Sequence, residues 1–167
     1  MTRINEQVLE QLKQASIATI ISRYQASEEA SKLLEPTLTP RQAVSVLLKA
    51  DLERDAIQLV AHGLAVMNAI RWGLQVVKAS GGKSDDELKV LSCVEGWLQS
   101  PSETLRIRAQ QLAERVGLDN AFGWLAYSVF WSGTGSIVAP ELPVVLPPEN
   151  MVGHAINAAI LLSMIDQ

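Results

Sequence analysis

One cysteine and two histidines are all that this 167-residue chain offers of the side chains that most often ligate metals or attack substrates. Cys93 has no second cysteine, which excludes an intrachain disulfide. It falls in an amphipathic helical pattern, where a buried, inert thiol is expected. His62 and His154 lie about ninety residues apart and read as hydrogen-bonded core or boundary residues rather than metal ligands. Basic charge is also scarce: the net charge is −4, and no Lys or Arg follows Arg115. That excludes nucleic-acid binding driven by phosphate neutralisation. The N-terminal MTRINEQVLEQLKQ has no apolar signal-peptide core. The most apolar stretch, Met151–Ile165, would span roughly 22 Å as a helix against about 30 Å of hydrocarbon. No membrane insertion is expected, and a cytoplasmic location is the default.

What is present is apolar and helical. Hydrophobic residues make up 48% of the chain and charged residues 19%, a globular balance. The length suits one domain, 1–167, large enough for a real core. Val8, Leu12, Ala15 and Ala18 repeat at helical spacing, predicting a helix over Asn5–Tyr24. Ser27-Glu28-Glu29-Ala30 starts a short helix that ends before Pro36. Thr39-Pro40-Arg41-Gln42 is a capping-box pattern with proline where no N–H is needed. Val44, Leu47 and Leu48 then face inward. Asp51 or Leu52 opens the next helix, with Ile57, Val60, Ala61 and Leu64 inward, and Gly63 ends or loosens it. Ala65–Ala79 carries the stripe Val66, Ile70, Gly73 and Val77, and Ser80-Gly81-Gly82 stops it. Ser84-Asp85-Asp86-Glu87 and Ser100-Pro101-Ser102-Glu103 read as two further capping boxes. Behind the first, Leu88, Leu91, Val94 and Leu98 face inward; behind the second, Leu105, Ala109, Leu112 and Val116 do, up to Gly117. Asp119 or Asn120 caps a helix through Trp131, and Pro148 or Glu149 leads into the last one. The expectation is an all-α protein: seven or eight short helices in antiparallel hairpins, as a bundle or a short solenoid-like stack.

Between the last two helices runs FWSGTGSIVAPELPVVLPP. It is apolar, yet Pro140, Pro143, Pro147 and Pro148 forbid a helix, and its only charge is Glu141. Val144-Val145-Leu146 is β-prone but bracketed by prolines, with no partner strand. Gly133-Thr134-Gly135-Ser136 is not followed by a helix start, so it reads as a helix end and turn rather than a phosphate cradle. An extended strap lying against the bundle is expected, first as a structural tie and second as a partner surface.

Candidate chemistry is thin. Asp85, Asp86 and Glu87 sit in a first helical turn, where they oppose the helix dipole, and need no metal to explain them. Ser132, His154 and an acid such as Glu141 or Glu149 make a triad only on paper, because Ser132 follows a helix rather than a strand-to-helix elbow. No cofactor is expected. The aromatics say more: Trp124, Tyr127 and Trp131 share one helix face at i, i+3 and i+7. They read either as a core anchored by large rings or as a surface for a partner.

From about Pro36 onward the chain resembles an uncharacterised bacterial family of unknown function, associated with type VI secretion gene clusters of Gram-negative bacteria. The resemblance runs through TPRQAVSVLLKADLERDAIQLVAHGL, AIRWG, VEGWLQSPSETLRIRAQQLAE, GWLAYSVFWSGTGSIVAPELPVVLPP and HAINAAILL. Its most specific pieces are Trp97 followed by Pro101-Ser102-Glu103 and Arg106, and the run from Phe130 to Pro143. The chain departs from the family in having Arg71-Trp72 for a Trp-Trp pair and Gly133-Thr134-Gly135 for two glycines after the serine. Residues 1–35 lie outside the match, as an N-terminal helical extension. The resemblance implies a non-enzymatic cytoplasmic accessory protein, an effector adaptor or co-chaperone, whose partner is a secretion effector, a spike protein or another adaptor. Arg71, Trp72, Trp124, Tyr127, Trp131, Ser132, Pro140, Leu142 and Pro143 are the candidate partner surface. The alternatives are a small enzyme or small-molecule-binding subunit using His62, His154 or Ser132, and a structural homo-oligomer subunit.

Overall fold

A computed structural model describes residues 3–80 and 83–165, with residues 13 and 14 described by their backbone only. Among the described residues the fold is all-helical, with ten α-helices and no strand. They are α1 (Glu6–Glu10), α2 (Ile17–Ile21), α3 (Glu28–Leu33), α4 (Pro40–Lys49), α5 (Glu53–Gly63), α6 (Val66–Lys78), α7 (Asp85–Gln99), α8 (Glu103–Val116), α9 (Ala121–Phe130) and α10 (Met151–Ile165).

The count exceeds the expected seven or eight chiefly because the first predicted helix is broken. A 3-10 turn over Gln11–Gln14 follows α1, Ala15 is extended, and Ser16 caps α2 by accepting the Thr19 N–H. A serine that bonds its own backbone competes with helix continuation, and the β-branched run Ile17, Thr19, Ile20, Ile21 gives the helix little reason to bridge the gap.

Starts and stops elsewhere follow side-chain chemistry. Thr39 and Ser84 both close reciprocal capping boxes, with Gln42 and Glu87. The third box is different. Ser100 ends α7, and the N-cap of α8 is Ser102, which accepts the Leu105 N–H at 3.2 Å. Glu103 is thereby released from capping and turns to Arg106, one helical turn on. Gly117 closes α8 at φ 94°. Of the expected stop after α6, Gly81 and Gly82 lie outside the described residues.

α9 and α10 are apolar on nearly every face, the pattern of helices enclosed by others. α9 packs on α6, α7, α8 and α10, and α10 packs on α5, α6 and α9. The last helix therefore returns to the α5–α6 pair, and this closes a bundle rather than extending a stack. Trp72, Trp97, Leu125 and Ile156 are all buried in the shared core. Three residues expected to face inward face out: Leu48 on α4, Leu88 on α7, and Val66, which opens α6. Cys93 is buried, donates to the Leu105 carbonyl at 3.4 Å, and has its pKa raised by burial, as an inert thiol should.

Candidate functional site

The strap between α9 and α10 is held by one buried cation. Arg106 on α8 is 1% exposed. Its Nη1 donates to the Phe130 carbonyl and its Nη2 to the Ser136 carbonyl, both at 2.8 Å. Nε and Nη2 also form a fork onto Glu103, and the guanidinium carbon lies 4.8 Å from the centre of the Phe130 ring. A buried charge is costly unless its donors are used, and here they are. The same pair holds the Glu103 carboxyl below its ordinary range, chiefly by the Arg106 hydrogen bond. Gly135 makes the approach possible, since a Cβ there would sit 2.7 Å from Arg106 Nε and Nη2.

Beyond that anchor the strap closes on itself. Ser136 Oγ accepts from the Val138 and Val145 amides at 3.2 and 3.0 Å, and the Ile137 amide donates to the Val145 carbonyl at 2.8 Å. The expectation that its apolar residues lie against the bundle is corrected by their exposure: Leu142 53%, Val144 75%, Val145 47% and Leu146 59%. The prolines leave no helix and the Ile137–Val145 backbone bond makes no sheet, so the segment is pinned at its base while its apolar tip faces solvent.

The aromatic face assembles as predicted but is divided between core and surface. Tyr127 and Trp131 stack at 4.5 Å and 13°, and Trp124 lies 6.2 Å from Trp131. All three are half-buried, and Trp124 Nε1 donates to the Leu118 carbonyl at 2.7 Å. Arg71 is half-buried and bonded to Asn68. Trp72 is in the core, its Nε1 donating to the Arg3 carbonyl at 2.8 Å, so its ring is not available to a partner. Pro140 and Pro143 are exposed, and Ser132 is half-buried with its hydroxyl 3.1 Å from that of Thr134.

The two histidines are brought together. His62 on α5 and His154 on α10 meet edge-to-face with ring centres 4.7 Å apart, and Tyr24 stacks on the other side of His62 at 4.9 Å. His62 is buried, His154 exposed. The expected hydrogen bonds are absent at His62: neither ring nitrogen has a partner among the described residues. α10 approaches too closely for side chains to fit between, for a Cβ on Gly153 would lie 2.3 Å from His62 Nδ1. Burial first, then the neighbouring His154 and Arg23, lower the His62 pKa to about 4. Burial also raises Tyr24 to about 12, with Asp55 adding to it. The triad drawn on paper runs through His154, but the Ser132 hydroxyl pairs with Thr134, and no hydrogen bond joins it to His154 among the described residues.

His62 lines a cleft of about 560 Å³ whose walls include Arg23, the starts of α6 and α10, Trp131, Ser132 and the end of the strap. Sequence reading passed over Arg23, which lies in the segment before the family resemblance begins. It also saw Arg106 only as part of a motif. The available signal was Glu103 at i−3 and an apolar stripe on either side of the arginine.

A family model described as a family of unknown function (DUF6931) matches residues 43–167. The chain belongs to this family. The matched span begins inside α4 and includes Arg106, the strap, both histidines and α10. No curated protein and no solved structure matches the chain. Among the described residues, no helix is long and apolar enough to cross a membrane.

Proposed function

We propose that this member of the family is a non-enzymatic protein-interaction module whose docking surface is the tip of the strap, flanked by the half-buried face of Trp124, Tyr127 and Trp131. The observation that carries the reading is the exposed run Leu142, Val144, Val145 and Leu146 on a segment anchored by a buried arginine. Contiguous exposed apolar residues mark interaction sites, and pre-ordering the segment lowers the entropy cost of docking. A cytoplasmic adaptor or co-chaperone role in type VI secretion is the specific form of the proposal. It is supported by the family resemblance of the strap and its flanking helices.

The test is pairwise binding of the purified chain to a type VI spike protein and to an effector, with Val144→Glu and Trp131→Ala in parallel. Direct binding that Val144→Glu weakens about thirtyfold, or roughly 2 kcal/mol, supports the strap as a hot spot. Binding that ignores both substitutions removes the surface from the proposal, and failure to bind either component removes the secretion role.

A further inference from the structure

We infer that the cleft beside His62 binds a small organic oxyanion, an acidic headgroup carrying an apolar body. The cleft volume, about 560 Å³, is that of a small-molecule site. Two helices begin at its wall: α6 with Ala65 and Val66, α10 with Met151 to Gly153. Helix N-termini present N–H groups without helical partners and a partial positive charge. Ala65, at the N-cap of α6, has no side-chain oxygen to satisfy them. Asn150, ahead of α10, has φ 70° rather than the extended backbone of an N-cap. Arg23 adds a full charge. Its Nη1 donates to the His62 carbonyl at 2.6 Å, and among the described residues it has no carboxylate partner.

The observation independent of the helix ends is His62 itself. It is 3% exposed, lines the cleft, and leaves both nitrogens unpartnered. A neutral imidazole carries one N–H donor that a buried site should use, and an oxyanion in the cleft, toward which the ring turns, supplies the acceptor. The lining also includes the apolar Leu64, Ala69, Trp131, Leu146 and Pro147, which fit a ligand body rather than a bare ion. Glu149 is the one acidic side chain on the cleft wall, exposed and two residues ahead of α10. It opposes an anion and so provides a test of opposite sign. This site shares Trp131 and Leu146 with the proposed docking surface, but its polar groups, Arg23 and His62, lie outside that surface, so the substitutions below test it separately.

The experiment is an amide-resolved NMR titration of the full chain at pH 7 and constant ionic strength, with phenyl phosphate, benzoate, inorganic phosphate and phenol. Phenyl phosphate or benzoate is expected to saturate and to shift the amides of Val66 and of Met151 to His154, binding more tightly than inorganic phosphate. Arg23→Gln and His62→Phe are each expected to weaken that binding about tenfold or more, the scale of a lost charge-assisted hydrogen bond, while Glu149→Gln strengthens it. Shifts that do not saturate, phenol binding as tightly as the anions, or unchanged affinity in Arg23→Gln would overturn the proposal. If His62→Phe does not fold, Arg23→Gln and Glu149→Gln decide it, and their expected effects have opposite signs.

Discussion

Arg106 and Ser136 are thirty residues apart, and the guanidinium of the first donates to the carbonyl of the second at 2.8 Å. That bond joins the middle of the bundle to the base of the strap. It explains how a proline-broken apolar segment keeps one shape while its tip faces water.

Removing the arginine should therefore act on the strap and on global stability together. Arg106→Ala leaves the Phe130 and Ser136 carbonyls without their donor and opens a void in the core. The expected loss is about 3 kcal/mol or more, measured by urea denaturation. Arg106→Lys keeps the charge but not the fork, and should recover less than half of it. Limited proteolysis should cut both variants first between residues 133 and 148. A strap equally resistant in all three proteins would show that the anchor lies elsewhere.

The two serines before α8 separate capping from mere sequence pattern. Ser102→Ala should cost about 1 kcal/mol, because its oxygen serves the Leu105 amide. Ser100→Ala should fall within roughly 0.5 kcal/mol of the parent. Thermal denaturation of the pair tests this directly, and a larger loss at Ser100 would reassign the cap.

His62 should make stability depend on pH above the carboxylate range. Its pKa lies near 4 in the folded chain, against 6.5 for the ordinary side chain. Between those values the unfolded chain holds more protons, so stability rises with pH through this window and is lost as pH falls from about 6.5 towards 4. The contribution is roughly 2 kcal/mol after discounting for solvent in the cleft. Glu103, whose pKa is lowered from 4.5, acts in the same direction but further into acid. Denaturation midpoints between pH 5 and 7 should therefore isolate the histidine, and His62→Phe should flatten the slope there. An unchanged slope in a folded His62→Phe would place the titration on another group.

The helices were legible wherever a local signal decided them. Thr39 and Ser84 cap as their sequences say, Asn120 is one of the two caps offered for α9, and the apolar stripe of α5 predicts its buried face. Reading erred where two local signals competed. Ser100 and Ser102 each offered a cap, and the choice fell to the one that leaves Glu103 facing Arg106. The spacing over Asn5–Tyr24 suited a single helix, and Ser16 interrupted it. The candidate surface was legible as a face and a segment, but Trp72, read as part of it, belongs to the core.

By itself the sequence determined the all-α class, the cap-defined starts of α4, α7 and α9, the shared face of Trp124, Tyr127 and Trp131, and a strap that is neither helix nor sheet. Those follow from periodicity, backbone chemistry and the geometry of proline, all of which act over a few residues. Only the tertiary structure decided that α10 returns to α5, that His62 and His154 meet, that Arg23 shares their cleft, and that Arg106 holds the strap while Leu142 to Leu146 stay in water. These relationships join residues tens of positions apart. They depend on which buried polar groups can be satisfied once the helices have packed, and no local pattern encodes that.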